Sequence, residues 1–493
     1  MLIMKESKGM EKESVKTSSQ SKSVVKALIW KFAERCGAQI SSFVVSMVLA
    51  RILMPEEYGI LSVLLIFITL SQVVVQSGLG TALIQKKDVD NRDYSSVFYV
   101  SIALSVVLYV ILFVSSPYLA TFFNMPMITS TLRVMSISLF FGAGQTVLNS
   151  KLVKEMKFSV LFVCNIIASL VSGVLGIVLA CRDFGVWALV YQHVANQAVA
   201  LIMMWIVTRW IPNGISSVKN VKPLFGYGYK ILIANLISTG YNELRSLVIG
   251  KKYTADTLAY YDKGKQFPHL IISNINTTID NVMLPVYSAS QNDTIKLKQM
   301  LRRSMIISSY VLFPIIAGLC VTAESIILIV LTDKWLPSVP FLIVLSLTYL
   351  LTPLQTANQQ VIAAMGRSDI FLKMEILKKT LGTIVLVLSV VLFNDAIYVA
   401  YGGLLLAVLS SIINMAPNTK LIKYSYKEQV LDLLPNIFSS VIMAVIVWSI
   451  SLLIHNNYVL IILQVMLGVG VYFLLTIVTR NPALKYILGM LKK

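Results

Sequence analysis

Polar and charged residues recur at helical spacing inside segments that are otherwise apolar. Within residues 28–51 they are separated by four, four, three and four positions: Lys31, Arg35, Gln39, Ser42 and Ser46. This spacing places them on one face of a helix. Lys31 and Arg35 lie one turn apart, and a guanidinium group can grip phosphate through two hydrogen bonds. The face therefore suits an anionic group such as phosphate.

Similar polar faces occur in other apolar segments. They are Thr69, Gln72 and Gln76; Asn235, Ser238, Asn242 and Arg245; Ser273, Asn276 and Asp280, or Asn274, Thr277 and Asn281; and Arg133, Gln145 and Asn149. One charged side chain at the centre of a membrane helix costs about 2.5–3.5 kcal/mol, so several such faces indicate a shared water-filled cavity. The predicted substrate-binding residues are Lys31, Arg35, Gln39, Ser42, Gln72, Gln76, Asn235, Asn242, Arg245 and Asn276.

Three acidic residues accompany these faces, namely Glu34, Glu243 and Asp280. They are predicted to be counter-ions or ion-coupling groups. Structural alternatives stay open: Lys31 can snorkel to the membrane surface, and Glu34 and Arg35 can neutralise charges on neighbouring helices. Arg245 can pair locally with Glu243, and intramembrane amides often only join helices.

The composition indicates a helical protein that crosses a membrane many times. Of 493 residues, 57% are hydrophobic and 13% are charged, with a mean hydropathy of +0.77. A soluble domain carries about 25% charged residues, so a water-soluble enzyme and a disordered chain are excluded. A span needs about 20 mainly apolar residues. Fourteen segments are predicted to span: 28–51, 58–80, 95–118, 129–150, 158–180, 184–208, 225–249, 267–289, 304–331, 340–364, 371–393, 396–416, 434–454 and 458–478.

The distribution of basic residues predicts the orientation. The net charge is +19, and cytoplasmic loops of membrane proteins collect Lys and Arg. With both termini in the cytoplasm, most basic residues fall in the polar tail 1–27, in the even-numbered loops and at the C-terminus. Residues 250–266 are the exception, because this predicted outer loop holds four lysines.

An internal repeat is predicted from two offsets. Residues 50–61 resemble 250–261 at an offset of 200, and 183–187 resemble 394–398 at an offset of 211. Because each half has six spans, the halves are predicted to be parallel repeats about an axis along the membrane normal. The predicted parts are the N-lobe 28–208, a cytoplasmic linker 209–224, the C-lobe 225–416, a cytoplasmic loop 417–433 and spans 13–14 with the C-terminus, 434–493.

The sequence has no recognisable motif for ATP hydrolysis, metal binding or catalysis. The sequence has no P-loop for an ATP motor, and His193, His269 and His455 form no metal pattern. Neither a catalytic group, a metal site, a cofactor nor nucleic-acid binding is predicted. The four cysteines lie in or beside apolar runs and are interpreted as packing residues.

Four short motifs carry a family resemblance. They are LARILMPEEYGILSV (49–63), QSGLGTALIQKKDVD (76–90), KLVKEMKF (151–158) and DFGVWALVYQ (183–192). With them the chain resembles the oligosaccharide flippases of the multidrug/oligosaccharidyl-lipid/polysaccharide exporter superfamily, in the lipopolysaccharide and teichuronic acid biosynthesis branch. The resemblance covers about residues 25–430.

The resemblance implies alternating-access movement of a polyprenyl-diphosphate-linked oligosaccharide across the bacterial cytoplasmic membrane. It implies that Arg35, Lys31 and Arg245 hold the diphosphate, and that amide and hydroxyl faces meet the glycan. The implied partners are that substrate and the lipid bilayer, with polysaccharide polymerase machinery as a candidate and a monomeric chain. Two alternatives stay open: a multidrug/cation antiporter of the same superfamily, and a membrane glycosyltransferase or polysaccharide polymerase.

Overall fold

The computed structural model describes residue 37 and residues 39–76, 78–213, 218–454, 456–484 and 486, without the side chains of 218–224, 227 and 274–282. The described residues form helices and connecting turns, with no β-strand among them. This confirms the predicted all-α class. The chain divides into two compact units, Met1–Leu247 and Val248–Lys493.

Unit 1 contains eight described helices and most of a ninth. They are α1 (Gln39–Ile52), α2 (Pro55–Gln76), α3 (Leu79–Gln85), α4 (Asn91–Phe123), α5 (Ile128–Met135), α6 (Ser138–Lys154), α7 (Phe158–Ala180), α8 (Val186–Thr208) and α9 (Val218–Lys252). The boundary between the units falls inside α9.

Unit 2 continues from the end of α9. Its further helices are α10 (Ala255–Ser288), α11 (Thr294–Val321), α12 (Ala323–Val330), a 3₁₀ turn (Asp333–Ser338), α13 (Val339–Leu350), α14 (Thr352–Ala364), α15 (Ser368–Leu392), α16 (Ile397–Leu421), α17 (Tyr426–Ser451) and α18 (Asn457–Val478).

Each predicted span overlaps one or two of these helices, but the count of fourteen crossings is not confirmed. Over the described residues, ten helical stretches are long and apolar enough to cross a membrane. α15 is not among them because its first half holds Lys373, Glu375, Lys378 and Lys379. Its length is nevertheless 25 residues, which is about 37 Å at the usual helical rise.

Side-chain caps set several helix starts. Asp90 accepts a hydrogen bond from the backbone N–H of Asp93, and the Asp93 carboxylate accepts one from the N–H of Asp90. Ser425 and Glu428 form the same reciprocal box at α17. Each cap satisfies backbone donors that have no partner within the helix. The caps therefore explain why these helices begin in polar connections.

The two units repeat the same local structure at fixed offsets. The bond Leu53 N–H to Leu49 C=O recurs as Tyr253 to Ile249, at an offset of 200. Later in each unit the bond Lys157 N–H to Leu152 C=O recurs as Arg367 to Ile362, at an offset of 210. These paired bonds agree with the predicted duplication, which stays a prediction.

A glutamine also repeats between the units. Gln145 on α6 donates to the carbonyl oxygen of Gln197 on α8 at 2.7 Å. Gln355 on α14 donates to the carbonyl oxygen of Ala407 on α16 at 2.9 Å. Gln145 and Gln355 are 210 residues apart in the sequence, and so are Gln197 and Ala407. The helix pair α6–α8 and the helix pair α14–α16 are therefore joined by the same kind of side-chain contact. Interhelical amide bonds of this kind replace the water that is absent from lipid.

A buried apolar cluster closes one end of each unit. It lies next to the turns between helices that carry Lys and Arg residues. In unit 1 the cluster includes Leu83, Leu152 and Trp210, and Trp210 donates to Asn91 at 2.6 Å. In unit 2 the cluster includes Tyr287 and Tyr424. These clusters hold together the connections that carry much of the basic charge.

Buried amides tie α14, α16 and α17 together in unit 2. Asn358 donates to Gln429 at 3.0 Å and accepts from Asn418 at 2.7 Å, and all three residues are fully buried. Gln429 in turn donates to the carbonyl oxygen of Tyr424 at 3.0 Å. Such bonds favour a single packing of the core. They also make substitutions costly, because losing one partner leaves another polar atom unsatisfied.

We predict that Asn358→Ala destabilises the protein, because it removes the donor to Gln429 and the shorter bond from Asn418. An unsatisfied buried polar atom costs about 1–3 kcal/mol. Thermal unfolding of the purified protein in detergent measures the loss. Asn292→Ala is the matched control, since Asn292 is exposed. Equal melting temperatures for the two variants would contradict a structural role for the amide network.

Candidate functional site

A first polar cavity lies inside unit 1 between α1, α2, α7 and α8. Its volume is about 390 Å³. Its polar lining consists of Ser42, Ser46, Tyr58, Asn165, Ser169, Gln192, His193 and Asn196. The Tyr58 hydroxyl donates to the carbonyl oxygen of Ser46 at 2.9 Å, which fixes one wall. We call this space the α1 cavity.

A second polar cavity lies between α2, α3, α6, α8 and α9 in the same unit. Its volume is about 480 Å³. Its polar lining consists of Thr69, Gln72, Gln76, Thr81, Gln145, Thr146, Asn149, Ser150, His193, Gln197, Asn235 and Thr239. We call this space the α2 cavity. Six of these side chains are carboxamides, each of which both donates and accepts hydrogen bonds.

Neither cavity has an Asp, Glu, Lys or Arg among the described residues that line it. The polarity therefore comes from amides, hydroxyls and one imidazole. Such groups suit a neutral, hydroxyl-rich ligand, since a sugar hydroxyl also both donates and accepts. A site built in this way discriminates strongly against ligands that lack the hydroxyl.

His193 contributes to the walls of both cavities. Its Nε2 atom is buried and has no hydrogen-bond partner in the protein. The Oε1 atom of Gln72 in the α2 cavity is in the same state. Buried polar atoms are normally bonded, so these two atoms have hydrogen-bonding capacity that the protein itself leaves unused.

Neighbouring residues hold the amides of the α2 cavity in place. The Gln72 amide donates to the carbonyl oxygen of Ser138 at 3.3 Å. Gly142 leaves the room for this side chain, because a Cβ there would lie 2.7 Å from the Gln72 Cδ atom. Gln145 donates to the Gln197 side chain at 3.0 Å, which orients both amides.

Comparison with models of protein families identifies the family of this chain. The model of a family described as polysaccharide biosynthesis protein matches residues 48–340, which is more than half of the sequence. The chain belongs to this polysaccharide biosynthesis protein family. It is a multi-pass membrane protein with the helical architecture described above.

Characterised relatives are similar over part of their length. The teichuronic acid biosynthesis protein TuaB of Bacillus subtilis is 27% identical over 303 residues, covering 61% of this chain and 62% of TuaB. The chain thus matches less than two thirds of TuaB. The succinoglycan biosynthesis transport protein ExoT of Rhizobium meliloti is 27% identical over 340 residues, covering 68% of each chain.

Solved structures share the fold of this polysaccharide biosynthesis protein. The inward closed conformation of the lipid II flippase MurJ matches with a TM-score of 0.71 at 15% identity, covering 93% of this chain and 99% of MurJ. An inward-facing multidrug resistance MATE family transporter matches with a TM-score of 0.57 at 14% identity, covering 78% of this chain and 96% of that one. At these identities the likeness is one of fold.

The structure brings four of the predicted site residues of this family member into the cavities. Ser42 lines the α1 cavity, and Gln72, Gln76 and Asn235 line the α2 cavity. Gln39 is half-buried on α1, one turn before the segment that lines the α1 cavity. Their roles in binding stay predictions.

The other predicted residues have different placements. Asn242 is exposed on α9, and Glu243 and Arg245 are half-buried there, so none of the three is in either cavity lining. Lys31, Glu34 and Arg35 lie outside the described residues. Asn276 and Asp280 belong to α10, and their side chains lie outside the description.

Sequence reasoning missed the contribution of α7 and α8. Gln192 and Asn196 on α8 are four residues apart, as are His193 and Gln197. Asn165 and Ser169 repeat this spacing on α7. Two adjacent i, i+4 pairs form one helical face, and this signal could have located the wall.

We predict that Gly142→Ala destabilises the protein by about 1–3 kcal/mol, because the added methyl group overpacks the site and displaces Gln72. The cost should shrink when Gln72→Ala is present too, since the colliding side chain is then gone. Thermal unfolding of the two single variants and the double variant measures this coupling.

Gly318→Ala is the control for this cycle, because a Cβ at Gly318 has no neighbour within 4 Å. Strictly additive effects of the Gly142 and Gln72 substitutions would contradict the packing described for the α2 cavity.

Proposed function

We propose that the chain is a flippase that moves a polyprenyl-diphosphate-linked oligosaccharide across the bacterial cytoplasmic membrane during surface polysaccharide biosynthesis. The observation that carries the proposal is the pair of amide-lined cavities in unit 1, whose described lining residues carry no charge. Moving a glycan through about 30 Å of hydrocarbon requires that its hydroxyl groups stay hydrogen-bonded. The amide and hydroxyl walls supply those bonds.

The size of the cavities supports the same substrate class. Small-molecule sites usually measure about 300–1,000 Å³, and both cavities fall within this range. Each can therefore accept part of an oligosaccharide. The lipid tail needs no such site, because it can remain in the bilayer beside the apolar residues on α4, such as Val107, Val110 and Val114.

The relatives support transport of this kind. ExoT is named as a transport protein of succinoglycan biosynthesis, and MurJ is named as a lipid II flippase. In the proposal, the lobes 28–208 and 225–416 alternate access about the linker 209–224, with both termini in the cytoplasm. Lys31, Arg35 and Arg245 remain the predicted diphosphate ligands. The substrate and the bilayer are the partners, with polysaccharide polymerase machinery as a further one, and the chain acts as a monomer.

The alternatives differ in the chemistry that they need. A multidrug/cation antiporter needs a carboxylate in its binding site, whereas the described linings of both cavities hold none. A glycosyltransferase or polymerase would consume a sugar donor or lengthen a glycan. We therefore propose transport without catalysis and without a cofactor.

The proposal predicts protein-dependent leaflet movement of a polyprenyl-diphosphate oligosaccharide in proteoliposomes. Movement is followed as the fraction of labelled glycan that becomes accessible to an added glycosidase. We expect Gln72→Leu to slow this movement by about tenfold, because a buried hydrogen bond to the glycan is lost and the ligand hydroxyl is left unpaired.

Tyr118→Phe is the matched control, since Tyr118 is exposed on α4 outside both cavities. Its rate should equal that of the wild type. Absence of movement with a native carrier lipid would overturn the flippase proposal. Equal rates for Gln72→Leu and the wild type would overturn the role of the α2 cavity.

A further inference from the structure

A proline interrupts the hydrogen bonds of α11 in unit 2. Pro314 has no backbone N–H, so the carbonyl oxygen of Tyr310, four residues earlier, receives no donor from the helical ladder. Inside a membrane such a carbonyl needs another donor, because lipid offers none. The Tyr472 hydroxyl on α18 donates to this oxygen at 2.8 Å. One side chain of another helix therefore closes the gap that the proline leaves.

The contact between α18 and α11 is buried. Tyr472 is 7% exposed, and its ring centre lies 5.3 Å from the ring centre of Tyr310. Met443 and Val447 on α17 pack around it. α17 and α18 contain predicted spans 13 and 14, which lie outside the predicted repeat of twelve spans. The extra helix pair thus completes a helix that belongs to the repeat.

The Tyr472 hydroxyl has a second acceptor within reach. The Ser440 Oγ atom on α17 lies next to the Tyr472 hydroxyl. It is buried and has no hydrogen-bond partner among the described residues. If the hydroxyl turns from Tyr310 to Ser440, the freed carbonyl can accept from the backbone N–H of Phe313, as in a 3₁₀ turn. Both arrangements keep the polar groups bonded.

α11 has room to bend at this point. Gly318 follows Pro314 by four residues, so the two lie on the same face of the helix. A Cβ atom at Gly318 would have no neighbour within 4 Å, which shows that open space adjoins this face. Sharp bends in helices occur mainly at proline. α11 therefore combines an interrupted hydrogen-bond ladder with free space beside it.

Unit 1 also has a proline in a long helix, but the gap is closed differently. α4 and α11 contain predicted spans 3 and 9, which correspond in the predicted repeat. The carbonyl oxygen four residues before Pro117 belongs to Phe113, and it accepts from the Ser116 hydroxyl at 2.8 Å and from Arg133 Nε at 3.4 Å. Ser116 is on the same helix, so this carbonyl keeps a donor whichever neighbour moves. α4 serves as an internal comparison for α11.

We propose that Pro314 is a hinge in α11 and that Tyr472 is its latch, which is closed when the hydroxyl binds the Tyr310 carbonyl and open when it binds Ser440. The inference goes beyond the proposed function, because it gives α17 and α18 a task that does not depend on the substrate. They hold one helix of unit 2 in either of two shapes.

Hydrogen–deuterium exchange of the purified full-length protein in detergent tests the latch. Tyr472→Phe removes the donor, and we expect the amides of residues 306–318 to exchange about 2- to 10-fold faster, as for one lost hydrogen bond. Ser440→Ala removes the second acceptor, and the same amides should exchange more slowly than in the wild type. The opposite signs identify a latch, since lost packing would raise exchange in both variants.

Pro314→Ala tests the hinge itself. It restores a backbone N–H to the Tyr310 carbonyl, so α11 no longer needs the Tyr472 hydroxyl. In this background Tyr472→Phe should leave exchange in α11 unchanged. Tyr458→Phe is the matched control, because Tyr458 is 63% exposed at the start of α18. Its exchange should equal that of the wild type, and peptides of α4 should be unaffected in every variant.

Equal exchange in Tyr472→Phe and the wild type would overturn the inference. Unchanged or faster exchange in Ser440→Ala would also overturn it, as would an effect of Tyr472→Phe that persists in full beside Pro314→Ala. A rise in exchange throughout both units, α4 included, would show that Tyr472 only stabilises the whole fold and would equally exclude a latch.

Discussion

A polar group inside a bilayer must be hydrogen-bonded by the protein, by water or by a ligand, and the rest of this structure follows from that constraint. Backbone groups meet it by forming helices and capping their ends. Side chains meet it through interhelical amide bonds such as Gln145 with Gln197 and Asn358 with Gln429. Several buried side-chain atoms have no partner within the protein, and two of them, His193 Nε2 and Gln72 Oε1, are in the cavity walls. The cavity walls therefore retain hydrogen-bonding capacity that the protein itself does not use.

The two units share several local contacts and differ in the residues between them. The turns and the amide bonds that hold the helices recur at offsets of 200 and 210. The residues between these contacts differ, so that unit 1 has Asn165 and Ser169 where unit 2 has Glu375 and Lys379.

The helical class and the approximate position of each helix could be predicted. In a membrane protein, an apolar run of about 20 residues is expected to form a helix that spans the membrane. Ser42, Gln72, Gln76 and Asn235 could be selected from their spacing on otherwise apolar helices. The face of α8 was missed because its amides are interspersed with apolar residues that face other helices. The contacts of Lys378 could not be predicted because basic residues near a span boundary resemble a cytoplasmic loop. Only the fold shows that α15 begins earlier and that Gln359 and Lys378 meet at Glu375.

The central claim is that the glycan occupies the amide-lined cavities of unit 1. Site-specific photocrosslinking tests it directly, with benzoylphenylalanine at Gln76, which is exposed in the wall of the α2 cavity. Membranes that contain labelled lipid-linked oligosaccharide are irradiated, and the label attached to the protein is measured. We expect capture through the glycan at Gln76 and little capture from the same probe at Tyr118, which faces outward on α4. Equal capture at both positions, or attachment only through the lipid tail, would contradict the account.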